Sequence, residues 1–174
     1  VHGIYIYNSW NNSIKDNSIK NLSDDNSKGI YLYDNSNNNN LENNKINSSD
    51  RDGFHIRNSK NNSIKNNTVI GCLYGFTLDG NNNSLSNSVL KNNSIGVSIY
   101  KENNSIFNNI FNNSDNVWFS ENKSNAWNNS VTGNTWLNPD GTGYSETCDN
   151  YEHDGFCDNT YDVYYDEAGC SEFD

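Results

Sequence analysis

Short bursts of alternating apolar and polar residues return along the chain at a nearly regular step. A Gly opens each burst: Gly3-Ile4-Tyr5-Ile6-Tyr7, Gly29-Ile30-Tyr31-Leu32-Tyr33, Gly53-Phe54-His55-Ile56-Arg57, Gly75-Phe76-Thr77-Leu78-Asp79 and Gly96-Val97-Ser98-Ile99-Tyr100. A sixth copy, Asn116-Val117-Trp118-Phe119-Ser120, has lost the Gly. From Gly3 to Asn116 the steps are 26, 24, 22, 21 and 20 residues. A period in this range marks a solenoid, in which each unit buries its apolar face only by stacking on the next.

The alternation has a period of two, so each burst predicts a strand. Its inward pairs are Ile4 and Ile6, Ile30 and Leu32, Phe54 and Ile56, Phe76 and Leu78, Val97 and Ile99, and Val117 and Phe119. A second pair follows at a spacing of five: Ile14 and Ile19, Leu41 and Ile46, Ile64 and Val69, Leu85 and Leu90, Ile106 and Phe111, Ala126 and Val131. An odd spacing cannot hold both residues on one face of a straight strand, so a bend lies between them. Three short strands per turn result. The predicted fold is all-β: a parallel β-helix of about six rungs over residues 1–138, closed by an acidic C-terminal cap over residues 139–174.

The asparagines keep a fixed phase against these apolar positions. Two before the first member of each pair stand Asn12, Asn39, Asn62, Asn83 and Asn104, then Ser124. Three after it stand Asn17, Asn44, Asn67, Ser88, Asn109 and Asn129. Asn tolerates the left-handed backbone of a sharp bend. Stacked copies also bond amide to amide. The pattern predicts buried ladders at some of these positions and solvated turns at the rest.

Hydrophobic residues make up only 32% of the 174 residues, a composition that by itself suggests disorder. The periodicity argues against that, because a solenoid needs only a narrow core. Charge is unevenly placed. Residues 1–138 hold all 11 Lys and Arg and 11 of the 22 acids; the other 11 acids follow Asn138 with no Lys or Arg among them. The basic footprint of a nucleic-acid binder is missing. No run is long and apolar enough to span a bilayer, so membrane insertion is not expected. The start at Val1, inside a repeat, reads as a mature or trimmed end.

The tail segment Cys148-Asp149-Asn150-Tyr151-Glu152-His153-Asp154-Gly155-Phe156-Cys157-Asp158 reads as a calcium loop. Asn150, Glu152 and Asp154 offer oxygens at alternate positions, Gly155 allows the turn, and the Phe156 carbonyl and Asp158 complete the set. Tyr161 stands where the bidentate Glu of an EF-hand loop belongs. Cys148 and Cys157 flank the loop and are expected to pair. Cys72 and Cys170 either pair with each other, the favoured arrangement, or join neighbouring molecules. Trp127, Trp136, Leu137, Phe156 and Tyr161 supply apolar cover for the last rung. Sequons at Asn11, Asn21, Asn47, Asn61, Asn66, Asn92, Asn103, Asn122 and Asn128 are candidate glycan acceptors. With the even cysteine count they favour an extracellular location.

The motif Asn-x-Ile-x-x-Asn-x-Ile, as Asn12-Ser13-Ile14-Lys15-Asp16-Asn17-Ser18-Ile19 and Asn62-Ser63-Ile64-Lys65-Asn66-Asn67-Thr68-Val69, resembles right-handed parallel β-helix repeat proteins, in particular the NosD-like (periplasmic copper-binding) and archaeal surface-layer-associated families. Gly133-Asn134-Thr135-Trp136 with the Cys-flanked loop after it carries the same resemblance. It implies a fold more than a function, since this fold hosts many chemistries.

Three functional readings follow. A structural building block of a surface layer, sheath or filament, self-associating and calcium-stabilised, is the leading one, because an open solenoid end exposes an unpaired edge. Glycan binding is the alternative. The outward residues form two stripes, Tyr5, Tyr31, His55, Thr77, Ser98, Trp118 and Tyr7, Tyr33, Arg57, Asp79, Tyr100, Ser120. Tyr5, Tyr7, Tyr31, Tyr33 and Trp118 are the candidate sugar-stacking residues. Catalysis is not expected: glycoside hydrolysis needs two carboxyl groups about 5 to 10 Å apart, and Asp79, beside Arg57, is the only acid on the stripes. Copper delivery, implied by the NosD resemblance, is set aside. The chain has no Met, and His2, His55 and His153 are far apart in sequence.

Overall fold

A computed structural model describes residues 1–121, 124–151, 157 and 159. Each turn contributes one strand to each of three parallel sheets. The first turn holds β1 (His2–Tyr7), β2 (Ser13–Lys15) and β3 (Ser18–Leu22), and the second holds β4 (Lys28–Tyr33), β5 (Asn40–Glu42) and β6 (Lys45–Ser49). The third holds β7 (Asp52–Arg57), β8 (Ser63–Lys65) and β9 (Thr68–Ile70), and the fourth β10 (Tyr74–Asp79), β11 (Ser84–Ser86) and β12 (Val89–Lys91). The fifth holds β13 (Ile95–Ile99), β14 (Ser105–Phe107) and β15 (Ile110–Asn112). The sixth has β16 (Asp115–Phe119), an isolated bridge from Ala126 to Ser105, and β17 (Thr135–Leu137). Sheet 1 runs β1-β4-β7-β10-β13-β16, sheet 2 β2-β5-β8-β11-β14 and sheet 3 β3-β6-β9-β12-β15-β17. This is the parallel β-helix read from the periodicity.

Like lies over like in the interior. Ile14, Leu41, Ile64, Leu85 and Ile106 form one column in strand register, and Ile46, Val69, Leu90 and Phe111 another. Phe54 and Phe76 stack with ring centroids 4.4 Å apart. Each fully buried side chain of this kind stabilises the fold by about 1.5–3 kcal/mol. Ile4, Ile6 and Ile19 of the first turn and Val117 and Phe119 of the sixth are only half-buried.

The glycines answer to sterics. A Cβ on Gly29 would lie 2.6 Å from Ile46 Cδ1 and 2.5 Å from the Gly53 carbonyl oxygen. On Gly53 it would lie 2.4 Å from Val69 Cγ1 and 2.6 Å from the Gly75 carbonyl oxygen. The Gly and the apolar residue after it therefore both face inward, and this break in alternation throws the residue before the Gly outward. Asn116 replaces the Gly in the sixth copy and uses its side chain. Its Oδ1 accepts from Asn113 N at 3.0 Å, and its Nδ2 donates to the Leu137 carbonyl at 2.9 Å.

Corner asparagines divide into two roles. Asn11, Asn38, Asn61, Asn82 and Asn103 take positive φ and are exposed. The residues after them, Asn12, Asn39, Asn62, Asn83 and Asn104, form a ladder that ends on Asn125. Each backbone N–H donates to the next amide oxygen, as from Asn39 to Asn62 at 2.9 Å and from Asn104 to Asn125 at 2.9 Å. A second ladder runs Asn17, Asn44, Asn67, Ser88, Asn109, Asn134. A third, unforeseen from sequence, joins Ser49, Cys72, Asn93, Asn113 and Asn116, with Ser27 bonded to Ser49 below it.

The last turn departs from the expected count. Trp127, not Ala126, follows the ladder residue Asn125 into the core, and Trp136, not Val131, stands over Phe111 with centroids 4.7 Å apart. Val131 is 76% exposed. Between Trp127 and Trp136 the chain makes a longer excursion than the spacing of five in earlier turns. A count carried forward at fixed spacing therefore lands on Ser124, Val131 and Asn129, where the structure uses Asn125, Trp136 and Asn134. After β17 a single helical turn, α1 (Tyr144–Thr147), docks through Ser145 Oγ, which accepts from Trp136 N at 2.8 Å. Cys148 and Cys157 form the expected disulfide, their Cα atoms 5.6 Å apart.

Candidate functional site

Register in sheet 1 aligns Tyr5, Tyr31, His55, Thr77, Ser98 and Trp118 in one outward column, and Tyr7, Tyr33, Arg57 and Asp79 in the next. Four tyrosine rings pack in a two-by-two cluster, with Tyr31 buried among them: Tyr5 lies 5.3 Å from Tyr31, Tyr7 5.8 Å from Tyr33, Tyr5 6.3 Å from Tyr7 and Tyr31 5.4 Å from Tyr33, between centroids. Tyr5 and Tyr7 are about half exposed, at 49% and 53%. At the far end Tyr100 packs on Trp118 at 5.3 Å. The expected sugar-stacking residues thus fall into one tyrosine cluster, with Trp118 apart from it.

Between the two aromatic ends lies a polar centre built on Asp52. It belongs to a third outward column, His2, Lys28, Asp52 and Tyr74, made of the residues before the glycines. Asp52 is 1% exposed. Its Oδ1 accepts from Thr77 Oγ1 at 2.5 Å, and Thr77 in turn bonds Ser98 Oγ at 3.1 Å. Its Oδ2 lies 3.2 Å from His55 Nδ1, 3.7 Å from Arg51 Nε and 3.8 Å from Lys28 Nζ. Burial lowers the Lys28 pKa, with the Asp52 charge pulling the other way. Lys28 also lies over the Tyr31 ring, at 5.2 Å. A buried carboxylate keeps its charge only when so surrounded.

Arg57 Nε stands 3.5 Å from Asp79 Oδ2, the pairing expected from the stripes, and its guanidinium lies over Tyr33 at 5.6 Å. Burial raises the Tyr31 hydroxyl's pKa, and a hydrogen bond with Arg57 opposes that rise. Arg51, Asp52, His55, Arg57, Tyr74, Thr77, Asp79 and Tyr100 enclose a cavity of about 110 Å³. Two imidazole nitrogens nearby, His2 Nδ1 and His55 Nε2, are buried with no hydrogen-bond partner.

Strict alternation counted back from Ile30 and Leu32 assigns Lys28, and likewise Asp52, to the interior. The inward Gly cancels that parity, so the acid at the centre of the site could not be found by counting. A charged residue on a nominally apolar phase was the available signal.

The remaining expected residues are scattered. Asn11, Asn21, Asn61, Asn66, Asn92, Asn103 and Asn128 are exposed and Asn47 is half-buried; Asn122 lies outside the described residues. Cys72 is 4% exposed within the core, and burial pushes its thiol up to about 11. Its expected partner Cys170 lies outside the described residues. So do Glu152, Asp154, Phe156 and Asp158 of the calcium loop, leaving only Asn150. Among the described residues no helix is long and apolar enough to cross a membrane.

A family model described as periplasmic copper-binding protein (NosD) matches residues 1–141. The chain belongs to the NosD family. No curated protein and no solved structure matches it. The NosD family's own description places it in the periplasm, in keeping with the location outside the cytoplasm read from the cysteines and sequons.

That description corrects the expected cofactor. The metal attached to the NosD family is copper, whereas the sequence reading expected calcium and no copper. Among the described residues no three His, Cys, Asp or Glu come together as a metal site. An acidic run argues for a hard cation by composition alone, and composition does not tell whether its oxygens converge. Copper does not fit the described donors either. Tyr31 contacts both the His2 ring, at 5.2 Å, and the His55 ring, at 5.0 Å, with the two histidines on strands that flank its own. His55 Nδ1 is engaged by Asp52, and the chain supplies no Met.

Proposed function

We propose that this NosD-family chain is a rigid, non-enzymatic scaffold of the cell envelope that binds glycan chains along the outer face of sheet 1. The observation that carries the reading is the cluster of Tyr5, Tyr7, Tyr31 and Tyr33, continuous across two strands, with Tyr5 and Tyr7 about half exposed. Exposed aromatic side chains backed by further aromatics on a polar molecule mark an interaction surface. Tyrosine offers the apolar face of a sugar ring a stacking partner and its hydroxyls a hydrogen-bonding rim. The scaffold part of the reading rests on the ladders, which tie each turn to the next through buried amides.

The same cluster also suits a second copy of the chain, as a building block of a surface layer, sheath or filament would require. A glycan array on the purified chain, with light scattering across a concentration series, separates the two. Glycan binding that Tyr5→Ala and Tyr33→Ala abolish, in a monomer, supports the proposal. A silent array with concentration-dependent oligomers that the same variants dissolve replaces it with the assembly reading.

A further inference from the structure

We propose that the cavity beside Asp52 is the subsite for the acidic substituent, a uronate carboxylate or a sugar sulfate, of the glycan bound along sheet 1. This rests on the glycan reading above and adds the class of sugar.

The charges there are unequally committed. Asp52 is sealed in, its oxygens taken by Thr77 and His55 and its charge faced by buried Lys28. The Arg51 and Arg57 side chains are 45% and 50% exposed. Arg51 approaches Asp52 through Nε at 3.7 Å, and Arg57 approaches Asp79 through Nε at 3.5 Å while also hydrogen-bonding Tyr31. Guanidinium groups carry five donors in a planar fork that matches a carboxylate or sulfate edge. Each arginine therefore reaches the cavity rim with donors beyond its ion pair. Three cations, Lys28, Arg51 and Arg57, thus stand against two acids, Asp52 and Asp79, which leaves a net positive charge there.

The cavity itself, at about 110 Å³, suits one substituent of a sugar and not a full ring with its hydroxyls. His55 lines it, and His55 Nε2 is buried without a partner although Nδ1 is engaged.

Position completes the case. Tyr31 and Tyr33 lie on one side of the cavity, one strand back, and Tyr100 with Trp118 on the other. Strands stand about 4.8 Å apart, so the row from Tyr5 to Trp118 covers roughly 24 Å. A glycan lying along this row meets exposed aromatic side chains at both ends, Tyr5 and Tyr7 at one and Trp118 at the other, and the guanidiniums at its middle. The arrangement reads a charge in the context of a sugar chain.

The test compares polygalacturonate, its fully methyl-esterified form, a neutral galactan and a sulfated galactan by calorimetry at low salt. Tighter binding of an acidic polymer than of both neutral ones, by about ten-fold, supports the subsite. Whether polygalacturonate or the sulfated galactan leads names the substituent. In Arg51→Gln and Arg57→Gln the acid-to-neutral ratio falls toward one. The wild-type comparison stands even where a variant folds poorly. Equal affinity for acidic and neutral polymers overturns the subsite and leaves the glycan reading intact. No binding of any polymer overturns both.

Discussion

Along the inner face of sheet 1 the residues run Ile30, Phe54, Phe76 and Val97; one residue further on, the outer face runs Tyr31, His55, Thr77 and Ser98. The same strands carry both series, in the same register. The inner series changes size but never character, because each side chain meets only other members of one apolar core. The outer series changes character along the column, from aromatic to imidazole to hydroxyl. A solenoid leaves its outer face free of the repeat constraint, so departures from repetition there are where specific chemistry collects. The Asp52 centre is the clearest departure: one buried acid, with Lys28, His55 and Thr77 from three successive strands converging on it.

The comparison is tested first where it predicts the largest loss. Phe54→Ala opens a void beneath Phe76 and should cost about 3–5 kcal/mol in urea unfolding. A cost below about 1 kcal/mol would mean that the inner column is not close-packed. Cys72→Ser comes next. Serine already serves this ladder at Ser27 and Ser49, so the variant should fold. Burial holds the wild-type thiol protonated, with its pKa raised from 9.0 to about 11. The unfolded chain loses that proton first, so wild-type stability should fall by about 2 kcal/mol as pH rises from 9 to 11. The Ser variant should lack that part of the loss; parallel unfolding curves at pH 8 and 11 check it.

Asn62→Ala removes the oxygen that accepts from both Asn39 N and Asn39 Nδ2, at 2.9 and 3.1 Å. A buried N–H is left unpaired, for a cost of about 1–3 kcal/mol. Hydrogen exchange should localise the damage to the Asn39 corner. The smallest stability effect belongs to the outer face. Tyr5→Ala should shift stability by about 0.5 kcal/mol or less, while weakening glycan binding more than any of the interior changes do. A stability loss matching Phe54→Ala would erase the distinction between the faces.

Much of the fold was legible. The columns through Ile14, Leu41, Ile64, Leu85 and Ile106, and through most of both asparagine ladders, follow from period and phase, since stacked strands repeat their neighbours. The third ladder was not, because serine, cysteine and asparagine occupy equivalent places in it and no residue type recurs often enough to show. The last turn misled because its corner is longer. At the candidate site, the tyrosine stripes and the Arg57–Asp79 pair could be read directly. Asp52 could not, since an inward glycine reverses the parity on which such reading depends. The calcium loop shows the opposite error: side chains of the right chemistry at suggestive spacing, with no bearing on what the NosD family is described as binding.

The ladders have a consequence for how such a molecule changes length. Every buried amide hands its bond to an equivalent group one turn on. Excision of residues 62–82 would bring Asn83 over Asn39, Ser88 over Asn44 and Asn93 over Ser49, each a partner of the kind already used. Whole turns can thus be lost or duplicated without stranding a ladder amide, whereas a fraction of a turn cannot. The hydrogen-bond pattern makes the turn the natural unit of insertion and deletion.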